Sequence, residues 1–108
     1  MTLKHAQPLD VIALEPADLL PNKPVSSSLL RTPRLQLLRL VLADGQRVPE
    51  HHVPGEITIQ CVSGEADIET PGNVCRLQAG TLVVLPASMS HAVTAHANSV
   101  LLVTVLHC

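Results

Sequence analysis

A chain of 108 residues, 46% of them apolar, can bury one hydrophobic core and is too short for two. Its formal net charge is -2 and it has no Phe, Trp or Tyr, so there is neither a basic stripe nor a base-stacking ring, and nucleic acid is not an expected partner. Three cysteines, odd in number and without a C-x-x-C pair, support neither a disulfide framework nor a zinc knuckle and suit a reducing compartment. Arg39, Pro86 and Thr104 interrupt the most apolar stretches before they reach the roughly 18 to 20 residues of a membrane span. Lys4 is followed by Pro8, Asp10, Glu15 and Asp18 rather than by a continuous apolar segment, which is not the pattern of a secretion signal. The expectation is a soluble, cytoplasmic protein with no membrane partner.

Residues 1–34 carry Pro8, Pro16, Pro21, Pro24 and Pro33, which limit them to short elements. We expect a strand over Val11 to Leu14, a helical turn at Ala17 to Leu20, and a strand over Val25 to Leu30, forming edge strands or an arm for a second subunit. The next segment, Leu35 to Leu42, is ambiguous: Leu35, Leu38 and Leu42 fall at helical spacing and Gly45 stands where a helix would stop. The later segments are β-branched and turn-bounded, and the segment leading into Gly45 needs a sheet partner, so it is read as a strand.

From Pro33 onward, turn signals recur at Asp44-Gly45, Pro54-Gly55, Ser63-Gly64, Pro71-Gly72 and Ala79-Gly80. Short segments between regular turns predict an all-β antiparallel sandwich or barrel, its core spanning residues 35–106 of a single domain. Arg31, Arg34, Arg39 and Arg47 precede Glu50, Glu56, Glu65, Asp67 and Glu69, a segregation compatible with charge pairing between neighbouring strands. In Leu82 to Leu85 and Val100 to Val105 both alternating faces are largely apolar. A small barrel has one interior, so the other face is expected to meet a second sheet or a second copy in a homodimer.

Two spaced patterns carry the chemistry. Gly45 is followed after five residues by His51, and Gly64 closes the segment; Gly80 is followed after five residues by Pro86, with His91 beyond. These resemble the two motifs of the cupin family, G(X)5HXH(X)3,4E(X)6G and G(X)5PXG(X)2H(X)3N. The resemblance implies a cupin-type β-barrel, a double-stranded β-helix of jelly-roll form, with a site for a divalent metal (Fe, Mn, Ni or Zn). Val53 stands at the second histidine, Ile57 at the acid, Ser88 at the second-motif glycine and Ala95 at the asparagine. His51 and His91 are thus in register as ligands, and Glu56 is one residue early.

A one-residue slip turns a strand side chain to the opposite face, so three arrangements are open. A bulge at Pro54-Gly55 would bring Glu56, Thr58 and Gln60 inward, with Glu56 and Gln60 completing a metal shell. Without it, Ile57, Ile59 and Cys61 line an apolar barrel around two histidines. A third register uses Glu50, His52 and Glu56. Two functions follow: a metal-dependent dioxygenase or isomerase acting on a small organic molecule, or a non-catalytic module that binds or senses a small ligand. His52 is expected at the surface or a dimer contact; His5, His96 and His107 in loops, turns or termini; and Cys61 as a small buried apolar group. The absence of tyrosine argues against epimerases and thiol dioxygenases of this superfamily, which use one.

Overall fold

A computed structural model describes residues 5–15, 22 and 24–107. Nine strands follow one another: β1 (Val25–Arg31), β2 (Leu35–Leu42), β3 (Arg47–His51), β4 (Ile57–Ser63), β5 (Glu65–Thr70), β6 (Asn73–Gln78), β7 (Thr81–Leu85), β8 (His91–Ala95) and β9 (Ser99–Leu106). They form a five-stranded sheet in the order β1-β2-β9-β4-β7 and a four-stranded sheet in the order β3-β8-β5-β6. Every pairing is antiparallel. The expected all-β antiparallel barrel is therefore the fold, and no helix of the described residues is long and apolar enough to cross a membrane.

Leu35–Leu42 is a strand because it lies between two others, pairing with β1 on one side and along its whole length with β9 on the other. Tertiary pairing overrides its helical spacing, and its leucines sort by twos: Leu38, Leu40 and Leu42 belong to the core, alternating with Leu37, Arg39 and Val41. The expected strand at Val11 to Leu14 is absent. Pro8 removes a backbone donor, Leu9 adopts a left-handed φ of 74°, and the segment is irregular beside β1, held by Ala6 N donating to Leu29 O at 2.9 Å. The turn expected at Ala17 to Leu20 lies outside the described residues.

The five turn signals all fall where one strand gives way to the next, Ser63 being the last residue of β4. At Gly64 the backbone is left-handed, with φ 87°, and a Cβ would run into Asn98 O and Ser99 Oγ, so only glycine fits where the chain crosses from one sheet to the other. Ser99, 1% exposed, meets its hydrogen-bonding needs there: its Oγ accepts from Glu65 N at 3.1 Å and lies 2.8 Å from Ala97 O. Leu42, Cys61, Ala66, Ile68 and Leu101 are fully buried in the core.

Pro54-Gly55 does not bulge β4. Gly55 is buried so close to the backbone of Leu106 that a Cβ would overlap the Leu106 carbonyl, and Leu106 N donates to Glu56 O at 3.0 Å. Pinned in this way, β4 enters in straight register, Ile57 opposite Leu85 and Val105. Ile57, Ile59 and Cys61 point to the core, at 3%, 1% and 0% exposure. The bulge sits one strand earlier. Val48 pairs with Val93 and His51 with His91, so that two residues on β3, Pro49 and Glu50, stand against one on β8, Ala92. Pro49, which has no N–H to give a ladder, falls inside this irregularity on an edge strand, a place where proline is tolerated. The extra residue lets Val48 and His51, an odd number apart, both turn inward.

Candidate functional site

The bulge opens a cavity of about 420 Å³ between the two sheets. The larger sheet walls it with Ser26, Leu38, Leu40, Ile59 and Val103, and the smaller with Val48, Pro49, Glu50, His51, His91 and Val93. That volume lies within the ordinary range of small-molecule sites, and the lining is mostly aliphatic with a few polar groups gathered on β3 and β8.

His51 and His91 are brought together as the motifs implied, ring centroids 4.3 Å apart and planes tilted by 56°. His91 is 3% exposed while His51 lies exposed at the mouth. Each ring faces a backbone carbonyl two residues upstream: His51 Nδ1 lies 3.0 Å from Pro49 O, and His91 Nδ1 lies 3.1 Å from Met89 O. A carbonyl accepts only, so each Nδ1 carries its proton and donates, and in the neutral rings Nε2 is left as a lone pair. For His91, burial first and then the nearby His51 and His52 hold the imidazole below its ordinary titration range, outweighing the opposing Met89 bond, so the neutral form is favoured.

The turn that positions His91 also explains a departure from the motif. Ser88 occupies the glycine position and adopts φ 64°, the left-handed region that glycine enters freely and other residues enter at a cost of roughly 1 to 2 kcal/mol. Ser88 N donating to Val53 O at 2.9 Å fixes this turn against the segment after His51, and the turn aims the Met89 carbonyl at His91.

Glu56 and Gln60 are not brought to the pair. Glu56 precedes β4 and is exposed, and Gln60 alternates with the core-facing Ile59 and Cys61, opposite Leu82 and Leu102; neither lines the cavity. His52 is exposed. His5 bonds Ser28 at 2.9 Å, and His96 bonds Asp67 at 2.7 Å, both away from the cavity. The motifs gave no role at the pair to Glu50, yet Glu50 lines the cavity beside His51, one of its oxygens accepting from Ser90 Oγ at 2.5 Å. The signal that would have found it is Pro49, a proline inside a strand segment marking a bulge.

The donor set does not fit a resident metal. Catalytic metal sites ordinarily take three protein ligands, and two imidazoles fall short of that. Among the described residues no group of three His, Cys, Asp or Glu side chains is placed to hold an ion. Cys61 is equally unavailable, its thiol pushed up by burial, then by Glu65, and directed at the carbonyls of Ser63 and Gly64.

The charged residues form a separate system on the smaller sheet. Arg76 pairs with Asp67 at 2.8 Å and Glu65 at 3.0 Å, and Arg47 with Glu69 at 2.6 Å. The hydrogen bond from Arg76, followed by that from His96, lowers the Asp67 carboxyl to about 2. Of the four early arginines, Arg47 meets one of the acids in an ion pair, while Arg39 donates to Ala13 O at 3.0 Å.

The fold is shared with solved structures of low sequence identity. A cupin superfamily protein from Desulfitobacterium hafniense superposes with a TM-score of 0.82 at 22% identity, covering 96% of this chain and 95% of that one. KdgF from Halomonas sp. gives 0.71 at 20% identity, with 82% and 83% covered. The DMSP lyase DddQ from Ruegeria pomeroyi gives 0.74 at 21% identity, over 80% of this chain and 48% of that chain. No curated protein matches this chain. Residues 38–107 match the family model described as a cupin domain, and this span holds both glycine-led motifs, the bulged β3 and the facing histidines: the chain belongs to the cupin family.

Proposed function

We propose that the barrel is a metal-independent pocket for a small, largely aliphatic molecule whose polar head donates hydrogen bonds to His51 and His91. The observation that carries this reading is the pair of Nδ1–carbonyl bonds, at 3.0 and 3.1 Å, which leave two Nε2 acceptors beside an aliphatic cavity. Leu38, Leu40, Val48 and Val103 take the body of the ligand. The buried His91 accepts a proton-bearing head group at Nε2, and its neutral form is also suited to general-base work on an acidic O–H or N–H. Glu56 and Gln60 have no part in the site.

A divalent-metal centre of dioxygenase or isomerase type is supported less well, because among the described residues no group of three His, Cys, Asp or Glu side chains is placed to hold an ion. The test is a thermal-shift screen of small aliphatic alcohols and amines in excess chelator, with Val103→Phe as the cavity-filling control. Binding stabilises in proportion to RT ln(1 + [L]/Kd), so hits should raise the melting temperature of the wild type and not of Val103→Phe. Responses confined to added divalent metals would overturn the proposal.

The same reading extends to assembly and location. Leu82 and Val84, 55% and 57% exposed, form an apolar outer surface on the edge strand β7 of the larger sheet. A second copy presenting the same strand would cover it in a two-fold contact, whereas a lone subunit would leave it wet. Leu82→Glu with Val84→Glu should convert a dimer to a monomer in sedimentation velocity; a wild type that is already monomeric would remove the assembly. The free thiols of Cys61 and Cys75 suit the cytoplasm.

A further inference from the structure

The polar end of the cavity is built almost wholly of acceptors. Glu50 is the one acid among the described lining residues, and no Lys or Arg of the described residues lines the cavity with it. His51 and His91 each turn Nδ1 to a backbone carbonyl, of Pro49 and Met89, so in an uncharged ring the lone pair is on Nε2. Ser90 occupies part of one Glu50 oxygen, and a carboxylate has about four lone-pair sites in all, so capacity remains for a ligand. Ser26 supplies a hydroxyl that serves either role. Glu50 also borders a neighbouring surface hollow with Ser90 and Arg47; that arginine is held by Glu69 and does not line this cavity.

A carboxylate or phosphate head entering here would meet a like charge and two lone pairs, with no Lys or Arg among the described lining residues to receive it. An ammonium head would meet imidazole acceptors within the cavity and the negative charge of Glu50 on its lining, while its chain lay on Leu38, Leu40, Val48 and Val103. Recognition through aromatic faces is ruled out, since the chain contains no Phe, Trp or Tyr. We propose that the pocket selects a small aliphatic primary amine in its protonated form, with Glu50 at the cavity mouth setting the preference for positive charge. This rests on the pocket reading above and adds the sign of the head group.

The test compares three probes of equal chain length, hexylammonium, hexan-1-ol and hexanoate, by calorimetric titration into chelator-treated protein near neutral pH. Hexylammonium should bind about tenfold more tightly than hexan-1-ol, the worth of one hydrogen bond to a charged group, and hexanoate most weakly. In Glu50→Gln, whose amide oxygen still accepts from Ser90, hexylammonium should fall to the level of hexan-1-ol, and hexan-1-ol should not change. Hexanoate binding as tightly as hexylammonium, or hexylammonium unaffected by Glu50→Gln, would overturn the inference while the pocket reading survived. Failure of all three probes to bind would overturn both.

Discussion

The two halves of the sheet sandwich solve the same packing problem in opposite ways. Around β4, β5 and the inner half of β9 the interior is closed: Leu42, Cys61, Ala66, Ile68 and Leu101 are each 0% exposed, and Ser99 meets its needs from backbone groups. Toward the β1 and β3 edges the same sheets enclose a cavity, and the histidines there spend one nitrogen each on the backbone and hold the other in reserve. One extra residue in β3 makes the difference. It turns both Val48 and His51 inward without a volume to fill the space behind them, so close packing is concentrated in one half and open volume in the other.

The largest expected effect breaks the closed half. Leu101→Ala should cost about 2 to 5 kcal/mol in denaturant unfolding, because Leu101 is fully buried and its neighbours cannot collapse into the void. Val103→Phe, on the same strand but at the cavity, should cost far less, since its added volume enters existing space. Equal losses from the two would remove the distinction between the halves.

Acid separates the halves a second way. His91 titrates below its ordinary 6.5 in the folded protein, so the unfolded chain takes up the proton first and stability falls as pH drops through that value. Asp67, lowered from 3.8 to about 2, contributes stability that is present above the higher value and is lost as pH falls to the lower. Its worth is about 1 kcal/mol, reduced by solvent screening of the half-exposed Arg76. Unfolding free energies measured against pH should show two separate declines. His91→Ala should abolish the upper one, and Asp67→Asn the lower.

The smallest effect is a gain. Ser88→Gly places the motif's own residue at φ 64° and should stabilise by about 1 kcal/mol, read as a rise of a few degrees in melting temperature. A loss of stability would mean that the Ser88 side chain contributes more than its backbone strain costs.

Much of this architecture was readable in the residues. Gly45, Gly64, Gly72 and Gly80 mark turns with positive φ, and the chemical need for glycine there makes the turns visible without coordinates. His51 and His91 were readable for the same reason, because each follows a glycine-led turn at fixed spacing and the ladder then sets them opposite one another. Glu56 and Gln60 were misplaced because their orientation depends on strand register, and that register is set by Gly55 packing against Leu106, a contact between residues far apart in the chain. The irregular segment before β1 escaped for a related cause: an apolar run such as Val11 to Leu14 becomes a strand only where a neighbour offers a ladder. Glu50 was weighed only in a third register with His52 and Glu56, although Pro49 advertised the bulge that brings it to the cavity beside His51.

The central claim is that the histidine pair serves a ligand without a resident metal. Its most direct test is the melting temperature of chelator-treated wild type and Val103→Phe, each with and without hexylammonium. The account predicts a rise for the wild type alone, unchanged when a divalent metal is added back. A rise that disappears in chelator and returns with one particular metal would contradict it.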